Sequence, residues 1–200
     1  RAWDLTMYVN YHFLRWESFG LDIGMRVRPQ QLARFGSVIF EPRFRASYAP
    51  APALVFHGAA GWYSQEVTKL MNETDVISIF EPWIIVPDYL RASDAAHFVV
   101  GIEYDLSERV SLNVEGYYKP MFNLFEVNEK KFTAGAPDHV NVAGTSYGVE
   151  CSVKWLTDAV LMQASYTLSR ARLNIGGVSY TPRYDVRHVV NVNAGLELGD

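Results

Sequence analysis

The sequence predicts an all-β chain: an antiparallel, up-and-down meander of about nine long strands. Three observations predict it. Apolar residues recur at every second position, which is strand periodicity and not helix periodicity. Short and long connections alternate along the whole chain. Asp, Glu, Lys and Arg are kept to one side of every alternating segment.

The first segment has Trp3, Leu5, Met7, Val9, Tyr11 and Phe13 on one side and Asp4, Thr6, Tyr8, Asn10 and His12 on the other. The second sets Phe19, Leu21, Ile23, Met25 and Val27 against Asp22 and Arg26. In the third, Val38, Phe40, Phe44, Ala46 and Tyr48 oppose Glu41, Arg43 and Arg45. Pro42 falls in that apolar row, and because a ladder loses a donor at proline a bulge is expected there. The fourth runs from Leu54 to Tyr63, the fifth from Ala96 to Leu106, and the sixth from Val110 to Lys119. The seventh spans Ser146 to Trp155, the eighth Val160 to Ser169, and the ninth Val186 to Leu198. Only His188 interrupts the apolar rows with a titratable base.

Short connections are expected near Leu14 to Trp16, Ala49 to Pro52, Ser107 to Glu108 and Leu156 to Asp158. Long ones are expected at Pro29 to Ser37, Gln65 to Arg91, Met121 to Thr145 and Arg172 to Asp185. All short turns then lie at one end of the meander and all long loops at the other, which is the plan of an outer-membrane barrel. The segments run about 10–13 residues, where soluble strands have about 5–6 and tilted membrane strands need about 9–11. Aromatics gather at both strand ends: Tyr11, Phe13, Phe19, Tyr48, Tyr104 and Trp155 near the short turns, and Trp3, Trp62, Tyr118 and Tyr147 near the long loops. Tyr and Trp rings favour the level of lipid headgroups. Alternation alone does not say which side is wet, so a soluble sandwich or lipocalin-like barrel stays open on this pattern.

Composition narrows the classes. The 200 residues carry 18 Lys plus Arg and 22 Asp plus Glu, a formal charge of −4 that argues against nucleic-acid binding. Hydrophobic residues make up 49 %, too many for a disordered chain. The single cysteine, Cys151, excludes an intrachain disulfide, and its place in an apolar row makes it a small lipid-facing residue. The stretch Ala46 to Gln65 lacks acids and bases, but Pro50, Pro52, Gly58 and Gly61 exclude a membrane helix there. No leader is visible at Arg1. No phosphate loop, nucleophile elbow or zinc-protease helix motif occurs, and His12, His57, His97, His139 and His188 lack ligand spacing. No enzyme, metal or cofactor is expected.

Several stretches carry a resemblance. His97-Phe98-Val99-Val100-Gly101-Ile102-Glu103-Tyr104-Asp105-Leu106 precedes Leu112-Asn113-Val114-Glu115-Gly116-Tyr117-Tyr118-Lys119. Ser146-Tyr147-Gly148-Val149-Glu150 precedes Ser165-Tyr166-Thr167-Leu168-Ser169-Arg170-Ala171, and Tyr184-Asp185-Val186-Arg187-His188 follows. In this order they resemble strands from the barrel of TonB-dependent outer-membrane receptors, best from about Asp94 to Gly199. The resemblance implies that residues 1–200 are part of one transmembrane barrel of about 22 strands. It implies a plug domain, a TonB-engaging segment and further strands that are not in this sequence, and outer-membrane lipid as surroundings. It also implies uptake of a large scarce nutrient such as an iron chelate, cobalamin or a glycan, with energy from the TonB complex. A passive porin is the rival within the membrane class, and a soluble β-rich binding module the rival outside it.

Two sets of residues are candidates. On the polar rows, Arg26, Arg43, Arg45, Glu103, Glu115, Lys119, Glu150, Lys154 and Arg187 are expected to line the lumen, some of them against the plug. Glu103 and Glu115 are expected to pair with Lys119, Lys154 or Arg187, and Arg26, Arg43 and Arg45 with Asp22 and Glu41. In the long loops, Trp83, Tyr89 and Arg91, then Phe122 and Phe125 with Lys130 and Lys131, then Tyr180 and Tyr184, are the candidate extracellular ligand surface. The plain alternative for residues 81–87 is packing over the barrel mouth.

Overall fold

A computed structural model describes residues 5–16, 18–29, 38–69, 83–87, 90–128, 131, 133 and 135–196. These residues form twelve strands and no helix: β1 (Met7–Trp16), β2 (Phe19–Pro29), β3 (Val38–Ala51), β4 (Leu54–Gln65), β5 (Val67–Lys69), β6 (Trp83–Ile85), β7 (Ser93–Ser107), β8 (Val110–Val127), β9 (His139–Leu156), β10 (Val160–Ile175), β11 (Val178–Tyr180) and β12 (His188–Leu196). The nine long ones are the nine expected from period two. All pair antiparallel with their sequence neighbours, in the order β1-β2-β3-β4-β7-β8-β9-β10-β12. The short strands β5 and β6 form a hairpin inside one long loop, and β11 folds back on the upper edge of β10. The sheet is open, with β1 and β12 at its edges.

The register brings every apolar row onto one face. Val9 lies across from Met25, and Phe44 across from both Ile23 and Ala60. Ile102 lies across from Val114, Val114 from Cys151, Cys151 from Tyr166 and Tyr166 from Val190. Between its two aromatic bands this face holds no Asp, Glu, Lys or Arg. Nor is it covered: Val9 is 72 % exposed, Val100 68 % and Val192 65 %. The buried apolar residues are few among those described: Val86, Ala92, Ala96, Val142 and Leu173, all near the long-loop end. A soluble sandwich buries its apolar rows against one another; here they stand open along the whole sheet.

The turns differ from the sequence reading in detail. Strands run one to three residues further toward the short turns, which fall between Trp16 and Phe19 and at 52–53, 108–109 and 157–159. A register shift sits beside each of the first three, at Leu14/Trp16, Tyr48/Ala51 and Asp105/Ser107. In the fourth, the Thr157 N–H donates to the Val160 carbonyl at 2.8 Å and the Thr157 hydroxyl accepts the Val160 N–H at 3.0 Å. Pro42 makes no bulge: the β2–β3 register passes through Met25↔Pro42 unbroken. What happens at the proline is that β3–β4 pairing stops, at Arg43↔Gly61. The segment Met121 to Thr145 is not all loop either. β8 and β9 are 18 residues each and stay paired to Val127↔His139. That carries the hairpin about 30 Å along the strand beyond Tyr118, at roughly 3.3 Å per residue. A shift between Met121 and Leu124, with Asn123 at φ +54°, reverses the alternation on the way. The stretch 172–185 likewise begins as strand and turns at Gly176-Gly177, whose φ values of 59° and 88° suit glycine. Trp3 and Leu198 lie outside the described residues.

Candidate functional site

The polar face is organised by side chains that reach across a glycine to the next strand. Gly101 stands between His57 and Glu115 in register. The His57 imidazole and the Glu115 carboxylate meet over it, Nε2 to Oε1 at 2.9 Å. A Cβ on Gly101 would sit 2.3 Å from His57 Nε2 and 2.8 Å from Glu115 Cγ. The same arrangement recurs where Asn10 lies over Gly24 and Tyr117 over Gly148, whereas Tyr63 folds back over Gly61 of its own strand. Tyr63 also takes the Arg43 guanidinium on its ring at 5.0 Å and packs on His97 at 4.4 Å. One polar patch therefore runs from β1 to β7.

A buried charge cluster fills the gap that Pro42 opens between β3 and β4. Glu41 is 2 % exposed. Its Oε1 accepts the Ser64 N–H at 2.9 Å, and its Oε2 lies 3.5 Å from Arg26 and 3.8 Å from Arg43. Arg28 donates to the Ser64 carbonyl at 3.1 Å and lies 3.7 Å from Glu66, which is also buried. Side chains thus satisfy the backbone groups of β4 that would otherwise pair with β3.

The expected pairings are met in part. Arg26 and Arg43 do pair with Glu41. Asp22, directly across from Arg45, instead accepts from His12. Glu115 pairs with His57, not with a lysine, because the register sets it beside Gly101 and Glu150. Glu150 accepts the Thr167 hydroxyl at 3.3 Å, and Glu103 lies between Val55 and Asn113. Lys119 lies across from Ser146 with its ammonium 5.0 Å from the Tyr117 ring, and Lys154 lies between Ser111 and Gln163. All of these stand on the polar face. Arg187 pairs with Asp185 at 3.4 Å.

That last pair explains why two of the sequence motifs occur together. β12 pairs with β10 only as far as Leu168↔His188, and β11 takes over at Leu173↔Tyr180. In the interval, the Ser169 N–H donates to the Arg187 carbonyl at 3.0 Å, and the Ala171 N–H donates to Asp185 Oδ1 at 2.7 Å. His188 Nδ1 and the Tyr166 hydroxyl are 2.9 Å apart. The Ala171 N–H, helped by Arg187, holds the Asp185 carboxyl below its ordinary value of 3.8. The bond is therefore fully present above that ordinary value and is lost as pH falls through the lower folded one. Asp185→Ala is expected to speed amide exchange at Ala171 several-fold. In the unaltered chain, exchange corrected for its intrinsic rate should stay flat from pH 7 to 4. Unchanged protection in the variant would refute the assignment.

The loop candidates do not converge. Trp83 is 64 % exposed on β6, Tyr89 lies outside the described residues, and Arg91 is exposed with its backbone bracketed by the Asn141 side chain. Phe122 is not in a loop: it stands on the apolar face of β8, stacked on Trp62 at 5.6 Å. Phe125 stacks on His139 at 4.4 Å along the projecting hairpin. There the Lys131 ammonium donates to Asp138, holding that carboxyl low, while Lys130 lies outside the described residues. Tyr180 sits in β11 and Tyr184 is exposed beyond it. The sequence reading missed Asn123 and Asn141. The Asn123 carbonyl accepts from both Ser93 and Asn141, at 3.0 and 2.9 Å, and ties the hairpin base to β7. Among the described residues no three His, Cys, Asp or Glu side chains could share a metal ion.

No family model and no curated protein matches the sequence. Solved structures do. The ferripyoverdine receptor of the outer membrane of Pseudomonas aeruginosa superposes with a TM-score of 0.70 at 15 % identity over 98 % of this chain. The ferric-catecholate import receptor Fiu of E. coli K12 gives 0.69 at 14 % identity over 98 %. The FrpB iron transporter of Neisseria meningitidis gives 0.61 at 17 % over 85 %. The likeness is one of fold: this antiparallel up-and-down sheet has the strand arrangement of the barrels of these outer-membrane receptors. It spans about a quarter to a third of these receptors' own length: 26 % of the first, 32 % of the second and 26 % of the third.

Proposed function

We propose that the chain is part of the barrel of an outer-membrane import receptor that takes up a large scarce nutrient with energy relayed by the TonB complex. The single observation that carries this is the segregation of charge across one sheet: a continuous uncharged face, exposed, backed by a face of ion pairs and histidines. Lipid covers the first and the water of the lumen bathes the second. The neighbours named as iron transporters and ferric receptors favour an iron chelate over cobalamin or a glycan. A plug domain elsewhere in the longer protein would rest against the Glu41 cluster and the His57–Glu115 pair.

Two experiments test it. Cys151 is expected to resist a water-soluble maleimide in intact outer membranes and to react after denaturation; ready labelling in membranes would reverse the orientation of the sheet. The full-length gene product, expressed in an outer membrane lacking its own ferric receptors, is expected to import a radio-iron catecholate complex. Import should stop when the proton gradient is collapsed. Import that ignores the gradient would make the protein a passive porin.

A further inference from the structure

Arg170 is the member of the Ser169-Arg170-Ala171 motif whose tie to Asp185 is charge alone, without a hydrogen bond. It follows the outward row Val160, Met162, Ala164, Tyr166, Leu168, so it stands on the apolar face. Ten residues separate it from Val160, about 33 Å along the strand at roughly 3.3 Å per residue. With the usual tilt of about 35–45° this places it near the top of an apolar band of about 25 Å. Arg172 follows on the same side, one step further toward the loops.

Beneath Arg170 the face is not flat. Gly116 interrupts the row of large side chains on β8. A groove of about 620 Å³ opens there, walled by Phe98, Val100, Tyr118, Tyr147, Val149 and Leu168, with Arg170 on its rim. A Cβ on Gly116 would meet nothing closer than Val100 at 4.0 Å, so the space is open. The Arg170 Nε is buried and has no hydrogen-bond partner. The nearby carboxylate of Asp185 is already engaged by Ala171 and Arg187.

We propose that this groove is a binding site for a phosphate-bearing lipid of the leaflet on the long-loop side. One acyl chain lies over Gly116 between the aromatic rings. The headgroup phosphate accepts from Arg170, with Arg172 adding positive charge. An arginine matches phosphate geometry, and the low-dielectric surroundings strengthen the contact. The proposal rests on the membrane-barrel reading above.

The test uses the full-length gene product in mild detergent. Phosphatidic acid and diacylglycerol with the same acyl chains, which differ only in the phosphate, are titrated and retained lipid is read by native mass spectrometry. Phosphatidic acid is expected to bind at one site, about tenfold more tightly than diacylglycerol, which corresponds to about 1.4 kcal/mol. Arg170→Gln should abolish that preference. Gly116→Leu should fill the groove and weaken both lipids. Equal binding of the two lipids, or full retention by both variants, overturns the proposal. Heat-modifiable migration on gels, measured alongside, reports whether the protein is a folded membrane barrel at all. Its loss would sink the membrane reading, and its retention with no lipid preference would sink this site alone.

Discussion

Replacing Cys151 by arginine is expected to destabilise the folded barrel by about 2–4 kcal/mol, the cost of a cationic side chain facing mid-bilayer lipid. Ser152→Arg, one residue along, is expected to cost far less. Cys151 lies midway between Tyr147 and Trp155 on the apolar row of β9, directly across from Val114 and Tyr166. Ser152 faces the other way, among Asn113 and Ser165. The two variants carry the same charge at the same depth, so only the direction of the side chain differs. Urea titration of the refolded full-length protein measures both. Equal losses would mean that the two faces do not meet different solvents.

The second large effect is steric. A Cβ on Gly148 would sit 2.5 Å from the Leu168 carbonyl oxygen, 2.9 Å from the Tyr117 hydroxyl and 3.0 Å from the Ser169 Cα. Two of these three neighbours are backbone and cannot turn aside. Gly148→Ala is therefore expected to push β10 from β9 and to cost about 1–3 kcal/mol. It should lower the fraction of protein that migrates as a folded barrel. Gly116→Ala, in open space on the other face, is expected to leave that fraction unchanged. A Gly148→Ala protein as stable as its parent would show that β9 and β10 have room to spare.

Much of this was legible in the residues alone. Lipid on one side of every strand leaves a row without charges, so the sequence itself sets Val100, Cys151 and Val190 on one face. The pattern fades where that asymmetry ends. Past Asn123 the alternation of the long hairpin reverses, so the pattern predicts loop where β8 and β9 continue as strand, and Phe122, which closes the apolar row against Trp62, falls among the expected ligand residues. Proline removes one donor, which predicts a bulge at Pro42; that the neighbouring strand is met by Glu41 and Arg28 instead depends on residues from three separate segments. The His57–Glu115 pair was hidden for a related reason. It needs a register between three strands and a glycine in the middle one, and no single strand displays either. Asp185 is the exception, since its spacing from Arg187 and His188 was visible while its role was not.

The reach of side chains over the inner glycines has a consequence for how the hairpins find their places. A strand could slide by two residues along its neighbour and still turn its greasy side outward, so hydrophobicity alone tolerates that mistake. His57 could not then meet Glu115, and Tyr117 would lose the hollow over Gly148. These fastenings act as a vernier: they reject the slipped alignments that lipid would accept.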